Sequence, residues 1–216
     1  MKKIILQLIS VAIVTSVFSG CSSKREAHEY NKPAIYWYNK MIQQISTNHL
    51  DEADDTFISL ESEHRNSTFL PSSMMIMANS HIEEEEYVMA NYYLDEYEKK
   101  FGLTQDIDYI RFLKIKSKFL AFKEQFRDQK LLTTTLKESN EFLKKYPKSQ
   151  YIYLVQDIKS RLLMAKSQFD AEISALYERV DKPKAQEYYK QKAQKSWKKL
   201  DEINKVDVPW YRAIFE

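Results

Sequence analysis

Apolar residues recur three or four positions apart through most of the chain, broken by short polar stretches. The clearest case is MMIMANSHIEEEEYVMANYYLDEYEKKF, residues 74–101. Met74, Met77, Ala78 and His81 form one stripe, and Ala90, Leu94, Tyr97 and Phe101 form a second. Between them His81-Ile82 and Glu83 to Glu86 make a polar elbow. Such spacing predicts two amphipathic helices folded into a hairpin. Neither helix can bury its apolar face alone, so the unit needs similar units to stack against.

Two further stretches repeat its internal spacing. Met74 precedes Ala90 by 16 residues and Leu94 follows four later; Trp37, Ala53 and Phe57 keep the same intervals, as do Phe169, Ala185 and Tyr189. These are intervals of the tetratricopeptide pattern, in which a small residue lets the second helix approach the first and a large one fills the gap. The first copy departs from it by carrying Met41 and Gln44 at the usual Gly and Tyr positions. The expected fold is all-α, a solenoid of about four tetratricopeptide-like hairpins over residues 33–204; a plain helical bundle is the alternative. Pro33 opens a helix to about Ser46, and Asp51 to about His64 follows after a turn at Asn48-His49. A loop through Ser67, Thr68 and Pro71 leads to the central hairpin, which Gly102 closes as a C-cap. Thr104 caps a helix from Gln105 to about Arg127, with Ile107, Ile110, Leu113 and Ile115 toward one side, and Leu131 to Tyr146 is its partner, stopped by Pro147. Ser149 to Val180 reads as one long helix. Asp181 and Pro183 start the last, to about Asn204.

Composition sharpens this picture. Only two glycines occur, so turns requiring positive φ should be scarce. With 44% hydrophobic residues a sizeable core is available, and disorder is not expected. The formal charge of +2 resides in Lys2 and Lys3, leaving the remainder neutral and without an overall pull toward nucleic acid.

Residues 1–20 are read as a targeting segment: a basic start at Lys2-Lys3, then an apolar run from Ile4 to Phe18 that is too short and too polar for a comfortable membrane span. The run ends in Phe18-Ser19-Gly20-Cys21, which resembles the bacterial lipoprotein signal, with cleavage between Gly20 and Cys21 and lipidation of Cys21. Phe18 stands where Leu is usual. Ser22 and Ser23 follow the cysteine, which by resemblance to that sorting rule implies the outer membrane. Cys21 is the only cysteine, so once lipidated it leaves no thiol for a disulfide, a metal or catalysis. Residues 21–32 are polar and read as a tether; residues 205–216 form an aromatic tail with Trp210 and Tyr211.

No catalytic or metal-binding set is evident. His28, His49, His64 and His81 show no ligand spacing. His81, on an apolar stripe, is read as a core histidine. Glu83 to Glu86 point in different directions on a helix and are read as solvated. The shortage of glycines rules out a glycine-rich phosphate loop. The last helix carries Lys182, Lys184, Lys190, Lys192, Lys195, Lys198 and Lys199 against Glu187. It is either a solvated face or a docking surface for an acidic partner or anionic head groups.

Phe142 to Tyr151, FLKKYPKSQY, is similar to the YP-x-SQY stretch of the BamD family, outer-membrane β-barrel assembly lipoproteins also known as competence lipoproteins. Asp106 to Ile110, DIDYI, is similar to the family's N-I-D-Y-V opening of its third-repeat helix. The resemblance extends from about Pro33 to Tyr189. Two departures are His64-Arg65 in place of Tyr-Pro after the first repeat, and about four repeats where the family tends to have five. It implies a non-enzymatic scaffold without cofactors, lipid-anchored and facing the periplasm. Its expected partners are nascent outer-membrane β-barrel proteins and a BamA-type barrel subunit contacted through a POTRA domain. By the repeat pattern, Tyr38, Ile42, Ile45, Met75, Asn79 and Ile82 line a groove for substrate or partner, or else pack between repeats. Lys190, Lys198, Trp210 and Tyr211 are candidate docking residues. The alternative functions are piloting of secretin or pilus assembly, and DNA uptake.

Overall fold

The computed structural model describes residues 29–102, 107–122 and 128–200. The expectations for Gly20, Cys21, the tether up to residue 28, Thr104, Trp210, Tyr211 and the rest of the tail lie outside them. The chain divides into units 1–33 and 34–216; in the first, the described residues 29–33 form no helix. In the second, the described residues form eight helices and no strand: α1 (Ala34–Ser46), α2 (Leu50–Glu63), α3 (Phe69–Glu83), α4 (Tyr87–Phe101), α5 (Ile107–Ala121), α6 (Gln129–Lys145), α7 (Ile152–Arg179) and α8 (Pro183–Lys198). Consecutive helices pack as four antiparallel pairs; α1 also touches α3, and α5 touches α7. This is the expected repeat solenoid.

Three of the four hairpins turn in the same way. Two residues past the first helix, Asn48, Glu85 and Asp181 adopt left-handed φ values of 60°, 63° and 52°. One residue later, the His49, Glu86 and Lys182 N–H groups donate back to the Gln44, His81 and Tyr177 carbonyls at 2.9, 2.8 and 3.0 Å. These bonds satisfy orphan carbonyls at each helix end. Non-glycine residues thus supply the positive φ that the glycine count argued against. Asn and Asp tolerate that region; Glu85 has no such excuse. Gly102 does end α4, but at φ −66°. A Cβ there would stand 2.2 Å from the Glu98 carbonyl oxygen, so close approach, not handedness, calls for glycine.

One apolar core runs from Trp37 in α1 to Ala165 in the middle of α7. Met41, Leu60, Met77, Leu94 and Val155 are fully enclosed in it. The residues carrying the family resemblance meet in space. Ser149 Oγ donates to Asp108 Oδ2 at 2.7 Å, and Tyr151 stacks on Phe112 at 4.8 Å and leans on Tyr109 at 5.2 Å. Ser149 and Tyr151 thus fasten the start of α7 onto α5, just past the Pro147 that follows α6.

Several helix limits differ from expectation. Pro71 sits in the first turn of α3, where its missing N–H is already an orphan. Helix α5 stops at Ala121, short of Arg127, and α8 stops at Lys198, short of Asn204. The third spacing match is one residue out of register. Counted from the left-handed turn residue, Asp170 and Gln186 occupy the places of Trp37/Met74 and Ala53/Ala90. Phe169 and Ala185 are only half-buried.

Candidate functional site

The six expected groove residues fall in equivalent places. Tyr38, Ile42 and Ile45 on α1 stand at the same distances from Asn48 as Met75, Asn79 and Ile82 on α3 stand from Glu85. All six are half-buried. Tyr38, Ile42, Ile45 and Met75 pack against the core while keeping part of their surface in solvent. Tyr38 stacks on Phe69 at 5.0 Å and joins α1 to the start of α3. Asn79 turns its amide onto the Met75 carbonyl at 2.8 Å. The first helices of two successive repeats thus share a semi-exposed face of aliphatic, aromatic and thioether groups, suited to varied apolar segments.

Behind that face lies a polar network the sequence did not disclose. His81 is enclosed, with Nδ1 2.7 Å from Glu86 Oε2 and Nε2 3.1 Å from Asp54 Oδ1. Its ring stacks on Tyr93 at 5.4 Å, and the Tyr93 hydroxyl donates to Asp54. Burial disfavours the imidazolium, but the hydrogen bonds and charges of Asp54 and Glu86 outweigh it and hold His81 above its ordinary pKa. Burial, then the Asp54 hydrogen bond and charge, push the Tyr93 hydroxyl far up. His81 is a core histidine, as expected, but Glu86 is its partner and not merely solvated. An acidic residue five positions after a stripe histidine was the only sequence signal; Asp54, 27 residues upstream, gave none.

The same two positions face each other in the other hairpins that share this turn. Thr56 donates to Gln44 Oε1 at 2.6 Å in the first, and Tyr189 stacks on Tyr177 at 5.6 Å in the last.

A recess of about 490 Å³ opens between α5 and α6. Ile115, Phe142 and Tyr146 contribute its apolar and aromatic surface, and Arg111, Lys114, Glu138, Glu141, Lys144 and Lys145 its charges. Glu138 is engaged by Lys118 at 2.5 Å, and Lys114 by Asp95 and Glu98 at 2.5 and 2.9 Å. Burial works against the Lys114 charge, but those two carboxylates raise its pKa overall. Arg111 reaches Glu98 through one terminal nitrogen, while its buried Nε has no hydrogen-bond partner among the described residues, nor has the buried Tyr146 hydroxyl. Nothing in the apolar periodicity announces this recess, since its surface comes from residues read only as helix faces.

The expected docking residues Lys190 and Lys198 are exposed on α8. Lys192 departs from the reading of α8 as one basic face: it turns inward to Asp170 Oδ1 at 3.5 Å and lies over the Tyr189 ring at 4.8 Å. Among the described residues no group of His, Cys, Asp and Glu could hold a metal ion, and no helix is long and apolar enough to cross a membrane.

Comparison with known proteins agrees with this architecture. Residues 30–202 match the family model YfiO, described as an outer membrane lipoprotein. The chain is 34% identical over 209 residues to the outer membrane protein assembly factor BamD of Helicobacter pylori (strain ATCC 700392 / 26695), covering 96% of this chain and 94% of that protein.

Proposed function

From the premise that this chain belongs to the YfiO family of outer membrane lipoproteins, we propose that it is a lipid-anchored scaffold in the assembly of outer-membrane β-barrel proteins. The observation that carries this reading is the 34% identity to the Helicobacter pylori assembly factor, which spans nearly all of both chains. Cys21 is the lipid attachment point, exposed by cleavage after Gly20. Several acyl chains at roughly 0.8 kcal/mol per buried methylene hold the protein at the periplasmic face of the outer membrane. The work is physical, with no bond made or broken. The paired stripes Tyr38-Ile42-Ile45 and Met75-Asn79-Ile82 receive apolar stretches of unfolded barrel chains. Lys190 and Lys198, with Trp210 and Tyr211, are the docking residues for a barrel-bearing central subunit through its POTRA domain. Piloting of a secretin remains the alternative function, and it predicts a different companion.

Co-purification from mildly solubilised membranes distinguishes the two. A tagged chain should bring down a large barrel protein with several POTRA-like domains in near-stoichiometric amount. Recovery of a secretin instead, or of no outer-membrane partner, sinks the proposal. For the stripes, Tyr38→Ala with Met75→Ala should weaken crosslinking to unfolded barrel chains at least several-fold, and unchanged crosslinking removes them from the site.

A further inference from the structure

We propose that the recess between α5 and α6 is filled in cis by the chain's own C-terminal segment, residues 206–216, acting as a displaceable plug. The recess presents what such a plug needs: aromatic and aliphatic surface from Ile115, Phe142 and Tyr146, beside the Lys144 and Lys145 ammonium groups. Phe142 and Tyr146 lie 5.2 Å apart, with the Lys145 ammonium 5.4 Å from the Tyr146 ring. A cation-rimmed aromatic surface favours an occupant with rings and carboxylates.

The segment VDVPWYRAIFE carries Trp210, Tyr211, Ile214 and Phe215 together with Asp207 and Glu216. From residue 201 onward, four carboxylates oppose Lys205 and Arg212. Its point of departure is also favourable. Helix α8 runs back along the second half of α7, with Ser174 Oγ bonded to the Gln186 carbonyl and Ser167 Oγ to that of Ala193, both at 2.9 Å. Continued, that pairing brings the end of α8 to the middle of α7, beside the half that packs on α6, and Leu200 rests against the main core. The ten residues from Leu200 to Trp210 span up to about 35 Å when extended, longer than the roughly 25 Å of α6. The plug goes beyond the assembly role: it is a second use of the tail that carries the docking residues Trp210 and Tyr211, and binding of the tail peptide to the purified chain reads it separately from docking.

A dye-labelled peptide of residues 201–216 tests this by fluorescence anisotropy on the full lipidated chain in detergent. A chain whose own segment is disabled by Trp210→Ala and Phe215→Ala should bind the peptide, and the intact chain should bind it at least tenfold more weakly. Adding Lys144→Glu and Lys145→Glu, both at exposed positions, to the disabled chain should weaken binding at least tenfold with unchanged thermal midpoint. Equal binding by intact and disabled chains overturns the plug. So does binding indifferent to the charge reversals. Failure of both chains to bind also overturns it and leaves the recess to a segment of another protein.

Discussion

The α3–α4 and α7–α8 hairpins share a turn, down to the left-handed residue and the hydrogen bond that closes it, yet they are filled differently. Eleven residues before the turn, the earlier hairpin buries Met74 and the later one buries Asp170. Seven before it, Ala78 is matched by Ser174, whose hydroxyl bonds to the opposite helix. Around Asp170 the later seam holds Lys166 at 2.5 Å and Lys192 at 3.5 Å. The repeated unit is therefore the backbone turn and its helix spacing. What fills the seam depends on the neighbours: α3–α4 is packed on both sides, whereas α8 has its main contact with α7 alone.

Exchanging the two fillings breaks the comparison most severely in one direction. Met74→Asp places a carboxylate with no cation in an enclosed apolar site, and should destabilise by about 4 kcal/mol or more. Urea denaturation of the purified variant should give a far lower midpoint, or no cooperative transition at all. An intermediate effect is expected from the polar network buried inside the earlier hairpin. Because the folded-state pKa of His81 is raised, its contribution is complete below the unfolded value near 6.5 and is lost as pH rises through the folded one. The midpoint should therefore fall as the pH is raised from 6 to 9. His81→Gln should flatten that slope; an unchanged slope would mean the imidazole is not charged in the fold. The smallest effect belongs to the reverse exchange. Asp170→Met removes the carboxylate but leaves two lysines that already reach solvent, so the change should stay within about 1.5 kcal/mol. A loss above 3 kcal/mol would mean that the ionic seam is as indispensable as the apolar one.

The same contrast explains which parts were legible in the sequence. Helices α1 to α4 follow from apolar periodicity because their seams are mostly apolar, and the equivalent, half-buried placement of Tyr38, Ile42, Ile45, Met75, Asn79 and Ile82 follows with them. The last hairpin defeated the spacing argument because Asp170, Ser174 and Ser196, with Ala193, are enclosed in its seam, and no hydrophobic pattern contains the first three. Phe169, one position away, offered a false register. The lysine and aspartate at 166 and 170 were a fair hint, being four apart on one helix, but solvated pairs look the same. The α5–α6 recess and the Asp54–His81 contact join residues far apart in sequence, and one-dimensional patterns do not encode such distances.

Helix α7, 28 residues and about 42 Å long, has one half set in the main core and the other half carrying α8. In mechanical language it is a cantilever. Its root is clamped between α5 and α6 and pinned by the Tyr151–Phe112 stack, while its free span bears the load. Anything that grips α8 at the far end pulls with a long moment arm on that root. A membrane-tethered scaffold built this way can yield to tension from a bound companion by bending at one helix, without opening its repeats.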